Sequence, residues 1–182
     1  MSRVADLKSE ELSAEQKRIH DEIAGPRAGA VRGPFAVWLR TPKIADVANR
    51  FGNALRVEGK LDKRLFELAI LVVARHWSAQ YEWFVHEKDA RAAGVSSEVI
   101  DAVRHRRVPS FAHADENLVY DIVSELHDTR TISQASYDRA VAALGLDLFI
   151  ELITTVGFYT TAAMMINAFD APVPGNARPL PW

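Results

Sequence analysis

The run ELAILVVARHWSAQYEWFVHEKDARAAG, from Glu67 to Gly94, decides how this chain is read. It holds an unbroken apolar stretch, Leu68 to Ala74, opened by a carboxylate, Glu67. Asp62 is placed to cap a helix that reaches about Trp77. Leu65, Leu68, Ala69, Val72 and Val73 line one side of it, and Phe66, Ile70 and Leu71 fill the others. A helix apolar nearly all round is a buried helix. Ser78 is placed to cap a second helix, Ala79 to Ala93, which Gly94 closes. This second helix is dense in aromatics and carries Glu82 and His86. Ionisable groups set where burial is expected raise a functional question.

Outward from this pair, Thr41-Pro42 starts a helix with Thr as N-cap and Pro at the first helical position. Ile44, Val47, Ala48, Phe51 and Leu55 then recur at helical spacing toward Gly59. Phe35 to Leu39 is a short apolar cluster that anchors a loop rich in Gly, Pro and Arg. Ser13-Ala14-Glu15-Gln16 matches a capping box and Gly25-Pro26 a stop, giving a helix over about Ala14 to Ala24. Beyond Gly94, Ser96 or Ser97 starts a helix to about Arg104, and His105 to Pro109 is a basic break. Helices are predicted over Ala114 to His127, Ser133 to Leu144 and, longest of all, Leu146 to Phe169. The tail from Ala171 to Trp182 is rich in proline, with Leu180 and Trp182 placed to pack. No stretch alternates as a strand does. The expectation is an all-α, single-domain helical bundle of seven to eight helices spanning residues 1–182.

The chain has 182 residues, 48% hydrophobic and 25% charged, which suits one core. A net charge of −2 with no long run of like charge gives nucleic acid no basic surface. Cysteine is absent, which removes disulfides, thiolate metal sites and every cysteine-based redox or nucleophilic mechanism. Met1 to Gln16 is polar and unlike a secretory signal, so the cytoplasm is expected. Leu148 to Phe169 alone raises a membrane question. Glu151, Asn167 and four threonines interrupt it, so a core or oligomer-interface helix is expected and no membrane partner.

Glu82 and His86 stand four residues apart and share one helix face. A carboxylate there can hold the imidazole in one tautomer. Glu67 joins them if the two helices pack antiparallel. Plainer alternatives exist. A Glu–His pair at this spacing is commonly a surface pair, and Glu67 can pair with Lys63 one turn back at a solvated edge. Tyr81, Trp83, Phe84 and Val85 around His86, and Ile70 and Leu71 beyond Glu67, favour burial. Two carboxylates and an imidazole also suit a metal, but no second histidine stands one turn from His86, and no metal site is assigned. His76 reads as a partner of its own helix C-terminus, and His20, His105, His113 and His127 as surface. There is neither a nucleophile elbow nor a Gly-rich phosphate loop.

The segments RLFELAILVVAR from Arg64 and AQYEWFVHEKDARAAGVS from Ala79 resemble the carboxymuconolactone decarboxylase family, which includes the alkylhydroperoxidase D-like proteins. The resemblance is clearest over Leu61 to Arg104. It puts the family core at about residues 42–104 and the closing helix at 146–169. It implies an alkylhydroperoxidase D-like fold and a homo-oligomer, trimer or hexamer. The family's peroxidase branch carries a Glu, a C-x-x-C pair, and a His separated from the second Cys by three residues. The resemblance sets that Glu at Glu67, the His at His86 and the thiols at Ala79 and Glu82. A chain without cysteine cannot run a dithiol–disulfide cycle, so peroxidase chemistry is not expected.

The decarboxylase branch works without that cysteine pair and without a cofactor, on a γ-carboxylated unsaturated lactone from aromatic catabolism. The resemblance implies a lyase acting on a small molecule. His86 is then the acid–base group or oxyanion donor, Glu82 and Glu67 orient it, and Tyr81, Trp83 and Tyr159 shape the pocket. Two carboxylates repel an anionic substrate unless one is protonated or an arginine (Arg40, Arg75 or Arg91) intervenes. The alternatives are a non-catalytic oligomeric ligand-binding protein and a metal-dependent hydrolase using Glu67, Glu82 and His86.

Overall fold

The computed structural model of the chain describes residues 2–5, 7–25 and 29–181. Nine α-helices and no strand form among them. In chain order they are α1 (Ala14–Ala24), α2 (Pro34–Trp38), α3 (Pro42–Arg56), α4 (Lys63–His76), α5 (Gln80–Ala92), α6 (Ser97–Arg104), α7 (Ala114–Thr129), α8 (Gln134–Leu144) and α9 (Leu146–Phe169).

Helix α4 sits at the centre. Every residue from Leu65 to Arg75 is buried, because α5, α6, α7 and α9 pack around it. Its all-round apolar surface requires neighbours on every side. The Asp62 carboxylate caps it, accepting the Arg64 amide hydrogen at 3.0 Å. Arg64 also pairs with Asp115 at 2.8 Å and Glu116 at 2.9 Å, tying the start of α4 to the start of α7.

By length and composition α9 could cross a membrane, yet half of its most apolar window is buried inside the bundle. Two of its polar interruptions have structural partners. Glu151 accepts the amide hydrogens of Lys60 and Leu61 at 3.0 and 2.9 Å. Asn167 donates to the Trp77 carbonyl at 2.7 Å. The helix is stitched to both ends of α4.

Three local expectations change. Residues 34–38 form a helix, α2, where only an apolar cluster is expected. Pro34 pre-sets its first turn, and Phe35, Val37 and Trp38 are buried. Helix α3 ends at Arg56, short of Gly59, because the chain must turn there to offer Glu151 its two amides. Ser78 does not cap α5. It adopts a left-handed φ of 50°, its hydroxyl accepts from Arg75, and Ala79 is the N-cap. The capping box is present as read: Ser13 Oγ accepts from the Gln16 amide at 3.2 Å, and Gln16 Oε1 accepts from the Ser13 amide at 3.0 Å. In the tail, Leu180 is buried, with its amide and carbonyl both held by the Gln80 side chain at 3.0 Å. Pro26 and Trp182 lie outside the described residues.

Candidate active site

Helices α4 and α5 bring Glu67 and His86 into direct contact. His86 donates its Nδ1–H to Glu67 Oε2 at 2.7 Å, a separation of 19 residues in sequence. The other carboxylate oxygen of Glu67 pairs with Lys63 Nζ at 3.2 Å. The Lys63 pairing is therefore real, but not at a solvated edge, since Glu67 is only 1% exposed. A carboxylate can only accept, so this contact fixes the imidazole tautomer and leaves Nε2 as the nitrogen not engaged by Glu67. The Tyr159 ring stands edge-on to the imidazole, with centroids 5.0 Å apart.

His86 and Glu82 line a cavity of about 350 Å³. Its walls come from α5 (Tyr81, Val85 and Asp89), from α9 (Phe158, Tyr159, Ala162 and Ile166) and from α2 (Pro34, Phe35 and Trp38). That size is in the range of about 300–1,000 Å³ of small-molecule sites, and an apolar wall with few convergent polar groups is their usual character. The wall depends on backbone at Gly33. Its φ of 60° suits glycine, and a Cβ there would overlap the Tyr81 ring. Gly52 of α3 is similar, with a Cβ falling 2.9 Å from Phe158 Cζ.

The two acidic groups differ in electrostatics. Burial works to raise the Glu67 carboxyl, but the His86 hydrogen bond and charge, with Lys63, outweigh it and hold the group below the usual carboxylate value. Glu82 is 3% exposed and burial alone pushes its carboxyl well above the usual value, which favours the neutral acid. Its Oε2 has no hydrogen-bond partner. No hydrogen bond joins Glu82 to His86 among the described contacts, so the orienting residue is Glu67, on the neighbouring helix, rather than the i−4 neighbour.

Of the expected pocket residues, Tyr81 and Tyr159 line the cavity and Trp83 does not. Trp83 is fully buried behind α5; its indole N–H donates to Glu87 at 2.8 Å and Arg104 lies over its ring. Arg40, Arg75 and Arg91 are also absent from the wall, and the arginines present are Arg32 and Arg56. Arg40 is held by the Ala5 carbonyl and Arg91 by Glu87 and Ser97. Asp89 replaces Glu82 in the one potential cation-binding group among the described residues: donor atoms of Glu67, His86 and Asp89 lie within 4.8 Å of one another. Its position three residues after His86 is a sequence signal that could have found it. Nothing in the sequence pattern marks Arg32 or Arg56, which reach the cavity from a loop and from the end of α3.

Residues 42–119 match the model of the Carboxymuconolactone decarboxylase family. The chain also matches the crystal structure of an uncharacterized peroxidase-related protein from Silicibacter sp. TM1040. The TM-score is 0.77 at 14% identity, over 98% of this chain and 95% of that one. No curated protein matches it. The bundle thus has the all-helical alkylhydroperoxidase D-like fold, and its residues 42–119, without cysteine, are similar to the carboxymuconolactone decarboxylase family.

Proposed function

We propose that the chain is a cofactor-free acid–base enzyme of decarboxylase type, acting on a small lactone or enolisable acid of the kind met in aromatic catabolism. The observation that carries this is the buried Glu67–His86 hydrogen bond at the wall of a cavity that also holds the Glu82 carboxyl, whose neutral form burial favours. In a γ-carboxylated unsaturated lactone the bond to the carboxylate breaks and CO2 leaves. The electron pair moves into the conjugated carbonyl as a dienolate, and one proton is then added to carbon. The net change is carboxylate plus proton giving C–H plus CO2. Arg32 and Arg56 receive the carboxylate, the O–H of Glu82 donates to the developing oxyanion, and His86, held by Glu67, delivers the proton.

The test is CO2 release, followed with ultraviolet absorbance, from γ-carboxymuconolactone and a panel of related lactones and β-keto acids. Wild type is expected to turn over at least one of them. His86→Ala is expected to lose about 10²-fold or more, the usual range for a general acid–base group, with an unchanged circular dichroism spectrum. An unaltered rate in His86→Ala sinks the reading. Thermal stabilisation by a ligand with no product formed would favour a non-catalytic binding protein instead.

A second reading has one observation of its own. Glu67, His86 and Asp89 offer a carboxylate–imidazole–carboxylate set within reach of one cation, as a metal-dependent hydrolase would need. A metal there must displace the hydrogen bond between Glu67 and His86. Metal analysis of protein purified without chelator, and activation by added divalent ions, separate the two readings.

The same proposal includes a cytoplasmic homo-oligomer, trimer or hexamer. Ile44, Val47 and Phe51 of α3 are exposed and, with Phe158 of α9, line an apolar groove of about 450 Å³. Apolar surface grouped in this way supports an interface between copies.

A further inference from the structure

The C-terminal end of α4 meets α7 and the segment after α6 around a separate cavity of about 200 Å³, whose polar lining is Arg75, His76, Arg106, Tyr120, Ser124, His127 and Asp128. Arg75 is only 7% exposed. Its Nη1 donates to Ser78 Oγ at 2.9 Å, and its Nε has no partner. Arg106 lies beside it, making long contacts to the Arg75 carbonyl at 3.5 Å and to Ser78 Oγ at 3.4 Å. Neither guanidinium pairs with a carboxylate among the described residues. Burial, with the charge of Arg106 added, pushes the Arg75 guanidinium below its ordinary value.

Two like charges in this setting need compensation. The C-terminus of α4 supplies about half a negative charge. Asp128, an exposed carboxylate in the lining, acts on His76. The α4 terminus accepts only the long Arg106 contact at the Arg75 carbonyl, 3.5 Å, and Asp128 accepts from neither guanidinium among the described contacts. The hydroxyls of Tyr120 and Ser124 and the His76 ring can each donate as well as accept. His127 is committed elsewhere, with Nδ1 donating to the Val123 carbonyl at 2.8 Å and Nε2 near Thr160 Oγ1 at 3.4 Å, while its ring lies tilted by 43° against that of His76, centroids 4.4 Å apart. Two guanidinium groups stand in the lining against one carboxylate, an excess of positive charge and of donors that suits a ligand that only accepts. The volume is below the usual range of about 300–1,000 Å³ for drug-sized ligands, so that ligand is small. Guanidinium forks match the tetrahedral oxygens of phosphate.

We propose that this second cavity binds a compact oxyanion of the phosphate class, clamped between Arg75 and Arg106. The site is independent of the His86 cavity and does not rest on the reading given to it. The test is isothermal titration of the full chain with inorganic phosphate at fixed ionic strength, chloride serving as the control. Saturable binding of one phosphate per chain is expected, with a thermal midpoint raised by several degrees. Arg106→Ala is expected to weaken binding at least tenfold, and Arg106→Lys to weaken it less. Arg106 is exposed, so these variants should fold. Arg75→Met is a second probe on the buried side. Arg107→Ala removes an adjacent charge that is paired with Asp101 and is expected to bind as wild type. Glycerol phosphate in a parallel titration tells a free ion from the phosphate group of a larger molecule: weaker binding assigns the ion, equal or tighter binding the organic phosphate. No saturable heat, an Arg106→Ala protein that titrates as wild type, or an equal loss in Arg107→Ala would each overturn the proposal. So would an oligomer that dissociates in Arg106→Ala without phosphate, which would make the anion a carboxylate of a second copy.

Discussion

Glu82→Gln converts the charge state of the site into a slope that can be measured. Burial holds the Glu82 carboxyl well above its ordinary value, whereas the unfolded chain releases that proton near about pH 4.3. Between those two values the folded chain binds one more proton than the unfolded chain. The unfolding free energy therefore falls as pH rises through that window, by up to about 1.4 kcal/mol per pH unit. The substituted amide is neutral at every pH and of nearly the same shape, so it removes the slope. It also carries a cost of its own. Oε2 has no partner, so an amide nitrogen in its place is an unpaired buried donor, worth about 1–3 kcal/mol at any pH. The variant should begin below wild type near the foot of the window and gain on it steadily as pH rises. Glu67 acts on the opposite side. Its value is lowered in the folded chain, so its stabilisation is complete above the unfolded value and fades as pH falls through the folded one. It is common to both proteins and cancels in the difference. Urea unfolding followed by circular dichroism at pH 5, 6, 7 and 8, at one ionic strength and one protein concentration, gives that difference. A flat difference from pH 5 to 8 would mean that Glu82 ionises in the folded chain as it does in the unfolded one, and the neutral-acid role fails with it.

Glu67→Gln keeps the shape but loses the carboxylate that accepts from His86 Nδ1. Turnover should fall about 10²-fold with a changed pH profile, and an unchanged profile would remove Glu67 from the orienting role. Gly33→Ala sets a methyl group against the Tyr81 ring on a left-handed backbone. A loss of about 1–3 kcal/mol in denaturant titration is expected, and a neutral result would show that Tyr81 does not pack there. Arg64→Ala leaves Glu116 buried without its partner. About 2–3 kcal/mol should be lost, less than for a fully buried pair because Asp115 is half exposed, and a loss below the scatter of the assay would refute the pairing. Val47→Glu puts a charge on the exposed apolar face of α3. Sedimentation velocity should show a smaller assembly than wild type, and an unchanged one would place the interface elsewhere.

The sequence carried the helices well where a local chemical signal sets the boundary. Asp62 and Ser13 each accept from an amide in the first turn of their helix, and both starts lie where the cap predicts; Ser96, one of two starts offered, and Ser133, read as the first residue of its helix, cap theirs in the same way. Ser78 misled because its hydroxyl found Arg75 and its backbone turned left-handed instead. Helix α2 was illegible because five residues are too short for an apolar period to show. In the site, Glu67 and His86 were legible through the resemblance, and the Glu67–Lys63 pair through spacing. The pocket wall was not. Tyr81 and Trp83 are both aromatic and two apart on one helix, so they lie on different faces. Only the packing of α5 on α4 decides that Tyr81 meets the cavity and Trp83 the core. Arg32 and Arg56 come from a loop and a helix end distant in sequence, a placement that no periodicity encodes.

The two positions at which the resemblance sets thiols have had different fates. Ala79 is fully buried in an apolar cluster with Ala163, Ile166 and Ala171, and does not line the cavity. Glu82, one turn further along α5, does. One position has become packing while the other has kept an ionisable group, so nothing of a sulfur pair's geometry is preserved. What replaces it is a stronger hydrogen-bond donor than a thiol, provided the carboxyl is neutral. That condition also answers the objection that two carboxylates would repel an anionic substrate. The Glu67 charge is taken up by His86 and Lys63, Glu82 contributes none when protonated, and Arg32 and Arg56 face the same space. An entering carboxylate then meets two guanidinium groups against the single exposed acid Asp89. The proton transfer proposed above needs this balance, and the balance comes from burying one glutamate while pairing the other.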